Sequence, residues 1–231
     1  MISTLLNFNY LMFQSINAPA GSNPVLDLFM VFCANSLIFC FPLILLFYWG
    51  KPLSWQPRSL SAEEMSIVQQ RRSAVLWIAI ACVLAFSLNL LIEHFIFEPR
   101  PFIAHKVHLL IQHAADGSFP SDHTAWSFAV VGMLAFQLLF AFTTIQRSSN
   151  KGQGNLRLAL LLLPFCLLLI ALGMACLIGF ARIYVGVHYP GDILGGACSG
   201  MLASCIATAL RLCLQRPTEA VIKLAQAIRL A

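Results

Sequence analysis

The chain has 231 residues, 59% of them hydrophobic and only 10% charged, with a mean hydropathy of +0.82. That balance excludes a soluble globular domain and points to an integral membrane protein. Fourteen Lys and Arg against nine Asp and Glu leave a net charge of +5, read here as a topology signal and an affinity for anionic membrane lipids, not as a nucleic-acid footprint.

The first 24 residues carry no charge, but Asn7, Asn9, Gln14, Ser15 and Asn17 interrupt them and Pro19, Gly21 and Pro24 close them. Ile2, Leu5, Leu6, Met12, Phe13 and Ile16 fall on one helical face, which predicts a helix lying in the membrane interface; a short sixth span is the alternative. The absence of a basic leading segment argues against a signal peptide. Stretches free of Asp, Glu, Lys, Arg and His then run from Leu28 to Gly50, Ser73 to Ile92, Thr124 to Gln146, Leu158 to Ala181 and Ile193 to Leu210. Each approaches or exceeds the roughly 20 residues that cross a bilayer as a helix, and none alternates as a barrel strand would. The expected fold is therefore all-α. It is a polytopic membrane helix bundle of five spans plus the N-terminal interfacial helix, forming one domain over residues 1–231, with 215–231 as a cytoplasmic amphipathic tail. The eight cysteines lie within or at the ends of the spans without a Cys-x-x-Cys pair and are expected to be small apolar packing residues. Gly195, Gly196 and Gly200 in the last span predict close helix approach.

Eleven of the fourteen basic residues fall on one side of this topology: Lys51, Arg58, Arg71 and Arg72 in one loop, Arg147, Lys151 and Arg157 in another, and Arg211, Arg216, Lys223 and Arg229 in the tail. The positive-inside rule makes that side cytoplasmic. Arg100, Lys106 and Arg182 lie on the opposite face, which in a bacterium is the periplasmic or extracellular one. Three charged clusters at the edges of apolar runs share that face: Glu98-Pro-Arg-Pro101, Pro120-Ser-Asp-His123, and Arg182 with His188 and Asp192. Ionisable groups are costly there and mark a reaction centre.

Pro120 and Pro190 read as first-turn residues of spans starting at this surface, so both helix N-termini are expected to offer free N–H groups to an anion. Arg100 and Arg182 add planar donors suited to phosphate. The four-residue spacing of His188 and Asp192 lets the carboxylate hold one ring nitrogen and leaves the other free as a nucleophile. His123 is then available as the acid for the departing oxygen. Glu98 is a candidate ion-pair partner that fixes Arg100. His105, His108 and His113 crowd the outer loop with Asp116; a metal site is the alternative for them, but the spacing matches no closed metal pattern, so they read as a lipid-interface loop with occasional substrate contacts and no metal ligand is assigned. Tyr48, Trp49, Trp77, Tyr184 and Tyr189, near span ends, read as interface anchors.

Arg100-Pro101, then Pro120-Ser-x-His123, then Arg182 followed by His188 and Asp192, resembles the three-part signature of the type 2 phosphatidic acid phosphatase superfamily. Phe97-Glu-Pro-Arg-Pro-Phe102, His113-Ala-Ala-Asp116 and Ser118-Phe-Pro-Ser-Asp-His-Thr124 are similar to the bacitracin-resistance type of undecaprenyl-diphosphatase, over most of the chain from Val25 to about Leu214. The resemblance implies a phosphohistidine at His188 positioned by Asp192, His123 as leaving-group acid, and Arg100, Arg182 and Ser121 on the phosphoryl oxygens. It implies a polyprenyl diphosphate substrate, hydrolysed to the lipid monophosphate and inorganic phosphate at the outer face of the bacterial cytoplasmic membrane, without a cofactor. A phosphatase for phosphatidate or phosphatidylglycerophosphate, or a lipid-phosphate binding or transport protein, is the alternative. Three departures stand out: Glu93 occupies the superfamily's lysine position, Asp122 the usual glycine and Ala181 the usual serine. Either Lys106, in the following loop, substitutes for the lysine, or the site works with the two arginines and the helix N-termini.

Overall fold

A computed structural model describes residues 2–50, 62–147 and 154–227. Its helices are α1 (Ile2–Asn17), α2 (Pro24–Asn35), α3 (Cys40–Trp49), α4 (Ala62–Phe95), α5 (Pro101–Ala104), α6 (Asp122–Arg147), α7 (Gly154–Tyr184), α8 (Pro190–Cys213) and α9 (Gln215–Ala227). Among the described residues no strand is present, and four helices are long and apolar enough to cross a membrane: Ile67–Phe95, Asp122–Thr143, Leu161–Tyr184 and Pro190–Cys213. The fifth expected run is not one straight helix: α2 and α3, joined by a 3₁₀ turn at Leu37–Phe39, are bent by 47° and pass the length and composition test only when taken together. Two residues account for that break. Pro42 stands in the first turn of α3, where a missing N–H costs little but cannot continue a preceding helix, and Ser36 closes α2 with its N–H on the Phe32 carbonyl. The uncharged run shows its length but not its bend. Residues 228–231 of the expected tail lie outside the described residues.

The bundle is built around α6, which packs on α8, α7 and α4, while α4 also packs on α8. Its interior interleaves large side chains such as Trp77, Met133, Leu134 and Ile178 with small ones: Ala81, Ala85, Ala125, Ala129, Ala171, Ala175, Ala203 and Ala207 are almost wholly buried, while Val83, Leu90, Leu139, Leu169, Leu194 and Leu202 point outward. Lipid solvates leucine as well as a protein core does, so association between spans gains from close backbone approach more than from burying large side chains. Gly200 illustrates this, since a Cβ there would run into the Ala125 carbonyl of α6. Gly195 serves a different partner, the Phe119 ring. Gly200→Leu is expected to force α6 and α8 apart, cost about 1–3 kcal/mol by overpacking and lower the thermal midpoint of the purified protein. Because both helices begin at the charged clusters, activity should fall with it. The cysteines depart from expectation: Cys33 is buried, whereas Cys166, Cys176, Cys198, Cys205 and Cys213 are exposed on the outside of the bundle.

Helix α1 packs on α7 and α8. Phe13 is buried with Ile183 and Tyr189, Ile16 packs inward, and Leu5, Leu6 and Met12 are exposed, so the single apolar face expected from sequence is divided between protein and surroundings. Buried Asn17 donates to the carbonyls of His108 (2.8 Å) and Tyr184 (2.7 Å) and accepts the His108 N–H (2.9 Å). This ties α1 to the end of α7 and to the loop after α5, at the end of the bundle where the charged clusters meet.

Candidate active site

The C-terminal ends of α4 and α7 and the N-terminal ends of α6 and α8 converge at one end of the bundle, and the segments 96–121 and 185–189 close over them. His188, in the α7–α8 loop, is 2% exposed. Its Nδ1 lies 2.9 Å from the Ser118 carbonyl oxygen and 3.3 Å from Asp192 Oδ2. Both partners accept only, so the single ring proton sits on Nδ1 and Nε2 keeps its lone pair. Arg100 Nη1 and Arg182 Nη2 approach that Nε2 at 3.1 and 3.3 Å. Burial, then the charges of Arg182 and Arg100, hold the His188 imidazole well below the ordinary histidine range. The result is a neutral imidazole whose bare nitrogen faces two guanidinium groups.

Asp192 is fully buried. Its Oδ2 accepts the Tyr189 N–H at 2.7 Å, reaching back from the third position of α8 as the acidic half of a capping box does, and it also accepts the Ser118 hydroxyl. Its Oδ1 is buried without a hydrogen-bond partner. Ser118 therefore contacts both His188 and Asp192, through its carbonyl and its hydroxyl. Sequence reasoning missed it because half of its contribution is a backbone carbonyl, which every residue carries.

The two arginines are themselves held. Arg100 Nε donates to Asp116 Oδ1 at 2.7 Å, and its Nη1 also reaches the Val187 carbonyl at 3.1 Å. Its ion-pair partner is Asp116, not the anticipated Glu98, because an isolated bridge between Pro99 and Gly117 lays the two segments side by side. Burial pushes the Asp116 carboxyl up, but the Arg100 hydrogen bond and charge outweigh it and hold the group below its ordinary value. The Glu98 carboxyl is pushed up to about 7 by burial and by the charge of Asp192. Arg182 Nη2 lies 2.9 Å from His113 Nε2, while its Nε is buried without a partner. His113 and Asp116 were expected in a lipid-interface loop with occasional substrate contacts; the fold brings both onto the arginines.

His123 stands in the first turn of α6, partly buried and within electrostatic reach of Arg182, His188, His113 and Arg100. Ser121 is buried; its Oγ accepts the Thr124 hydroxyl at 3.2 Å, and its N–H is taken by the Asp192 carbonyl at 3.1 Å. Pro120 lies two residues before α6 rather than in its first turn. The N-terminus of α8 is also occupied, since Asn9 Oδ1 takes the Gly191 N–H at 2.8 Å. Of these two helices, α6 is the one that retains helix-start N–H groups ahead of its first helical bond, Ala125 N–H to the Ser121 carbonyl. Asp122, where the signature has glycine, is held by Asn89 Nδ2 at 2.8 Å, and Ser199 donates to Asn89 Oδ1 at 2.6 Å, joining α4, α6 and α8 beneath the site. Lys106 is exposed and makes no hydrogen bond or ion pair among the described residues. The His105 ring lies against Tyr10, with 4.0 Å between ring centroids and the planes tilted by 30°. Among the described residues no group of three His, Cys, Asp or Glu is placed to hold a metal.

A family model described as the PAP2 superfamily matches residues 74–215. Undecaprenyl-diphosphatase BcrC of Bacillus subtilis (strain 168) is 37% identical over 187 residues, covering 81% of this chain and 76% of that protein. The bacitracin transport permease protein BcrC of Bacillus licheniformis is 29% identical over 193 residues, covering 83% and 75%. The crystal structure of a transmembrane PAP2-type phosphatidylglycerolphosphate phosphatase from Bacillus subtilis shares the fold with a TM-score of 0.60 at 19% identity, covering 92% of this chain and 89% of that one.

Proposed function

The chain belongs to the PAP2 superfamily and is a multi-pass membrane phosphatase, and from that premise we propose that it removes the terminal phosphate of undecaprenyl diphosphate at the outer face of the bacterial cytoplasmic membrane. One observation carries the reading: the lone pair of His188 Nε2 faces terminal nitrogens of both Arg100 and Arg182, within 3.1 and 3.3 Å. A nucleophile and two phosphate clamps thus converge on one point. The substrate class follows from the similarity to undecaprenyl-diphosphatase BcrC. The outward orientation is supported by Arg71, Arg72 and Arg211, which gather around Tyr48 and Trp49 at the end opposite His188.

In the proposed reaction the lone pair of His188 Nε2 attacks the terminal phosphorus. A phosphorus–nitrogen bond forms as the phosphorus–oxygen bond to the lipid monophosphate breaks. Nδ1–H remains on the Ser118 carbonyl with Asp192 beside it, so the positive charge that develops on the ring is met by a carboxylate. His123 protonates the departing oxygen, then takes a proton from the water that attacks the phosphohistidine, releasing inorganic phosphate and restoring Nε2. Arg100, Arg182, the Ser121 hydroxyl and the first N–H groups of α6 hold the equatorial oxygens. Most of the rate acceleration comes from this fixed positive field, as in other phosphoryl transfers.

Inorganic phosphate release by the detergent-purified protein, given undecaprenyl diphosphate and phosphatidic acid in parallel with chelator present, tests the assignment. Faster turnover of the diphosphate is expected. Preference for phosphatidic acid would reassign the substrate, and binding of either lipid without phosphate release would replace the enzyme with a binding or transport protein.

A further inference from the structure

The carboxylate at the superfamily's lysine position has work of its own. Glu93 Oε1 accepts the Gly117 N–H at 3.0 Å, and Gly117 lies so close that a Cβ there would strike the Glu93 side chain. With the Ser118 N–H on the Glu98 carbonyl at 2.8 Å, this pins the segment 113–118 across the two arginines. The segment delivers His113, whose side chain is 22% exposed, to Arg182: its Nε2 lies 2.9 Å from the same Nη2 that reaches His188 Nε2 at 3.3 Å. The two imidazole centroids are 6.3 Å apart. A lysine at position 93 would have no use for the Gly117 N–H, so the charge reversal and the placement of His113 belong together.

We propose that His113 is a phosphate-binding residue, supplying from the segment that Glu93 anchors the contact the absent lysine would have made. The inference rests on the phosphatase reading of the site. A phosphoryl group bound to Arg182 in line with His188 Nε2 takes over the Nη2 that the two imidazoles share. His113 Nε2, released from Arg182, then donates to a phosphoryl oxygen. Donation from both ring nitrogens requires the imidazolium, because Nδ1 faces the Ala114 carbonyl at 3.3 Å and Asp116 Oδ1 at 3.7 Å. The groups around His113 are Arg182 from α7, Arg100 ahead of α5, His188 from the α7–α8 loop, His123 from α6 and Asp116 from its own segment. Without an anion, burial and then the charges of Arg100 and Arg182 hold it below the ordinary histidine value, against the opposing pull of Ala114 and Asp116. A phosphate dianion reverses that balance, so binding takes up a proton. Affinity therefore rises as pH falls through the pKa of the bound state, and levels off below that of the free state.

The probe is inorganic phosphate, titrated by calorimetry into the full-length wild-type protein, His113→Gln and His113→Lys, over about one pH unit on either side of 6.5. Ionisation of free phosphate is common to all three proteins and cancels in their ratios. Glutamine is expected to weaken binding about tenfold or more at the acid end, the scale of one hydrogen bond to a charged group, with a smaller effect at the alkaline end. Lysine is expected to restore the affinity and remove the extra pH slope. A His113→Gln to wild-type ratio that stays constant with pH overturns the proposal. If the glutamine protein does not fold, the lysine protein alone decides, since an unchanged slope relative to wild type overturns it equally. Absence of phosphate binding by the wild type, with no turnover of lipid phosphate, would instead overturn the phosphatase reading.

Discussion

His188→Ala is expected to reduce phosphate release at least about 10⁴-fold, because it removes the nucleophile and not merely a stabilising contact. The side chain is held from both ends: Nδ1 by the Ser118 carbonyl at 2.9 Å and Asp192 at 3.3 Å, Nε2 by the fields of Arg100 and Arg182. Alanine leaves the arginines in place, so the variant should still bind inorganic phosphate. Loss of turnover with retained binding is the expected pattern, measured by single-turnover release and phosphate titration on the same preparation. A covalent phosphate on the wild-type protein, stable to base and labile to acid, should be absent from the variant. Full activity in His188→Ala would remove the mechanism.

Arg182→Lys should cost about 10²- to 10³-fold in kcat/KM, the scale of losing a preorganised donor to a charged transition state. The charge survives the substitution, but the fork does not. Arg182 is 2% exposed, its Nη2 serves both His113 and His188, and its Nε is buried with no partner. A buried donor without an acceptor is costly, and a phosphoryl oxygen is the acceptor that the proposed reaction brings to it. A lysine nitrogen is a point charge and cannot reach that oxygen and the two imidazoles together. The loss should appear mainly in kcat, because positioning of the phosphoryl group matters most as charge redistributes. A change confined to KM would show that Arg182 only captures the head group.

Membrane class, the four long apolar helices and the order of the charged clusters were legible in the sequence for direct physical reasons. Hydrocarbon tolerates long uncharged helices and little else, and ionisable residues survive at span edges only where they are used. Arg100, Arg182, His188 and Asp192 could be read as one site because each is a rare charge in an apolar chain. Contacts made by common groups could not. The Ser118 carbonyl on His188, the Gly117 N–H on Glu93 and the Asn17 amide between His108 and Tyr184 have no compositional signature. The expected free N–H groups at α8 were a misreading of the same kind, since Asn9, about 180 residues away in the chain, occupies one of them.

By itself, the sequence determined a helical membrane protein with three charged clusters at the edges of its apolar runs, because hydropathy and charge are properties of single residues and short runs. Tertiary structure alone decided which groups meet. It set Asp116 and not Glu98 on Arg100, His113 beside Arg182, and a 47° bend where the chain reads as one span. Those outcomes depend on how the segment 113–118 crosses the ends of α4 and α7, and that path is set by long-range hydrogen bonds between residues no local pattern connects.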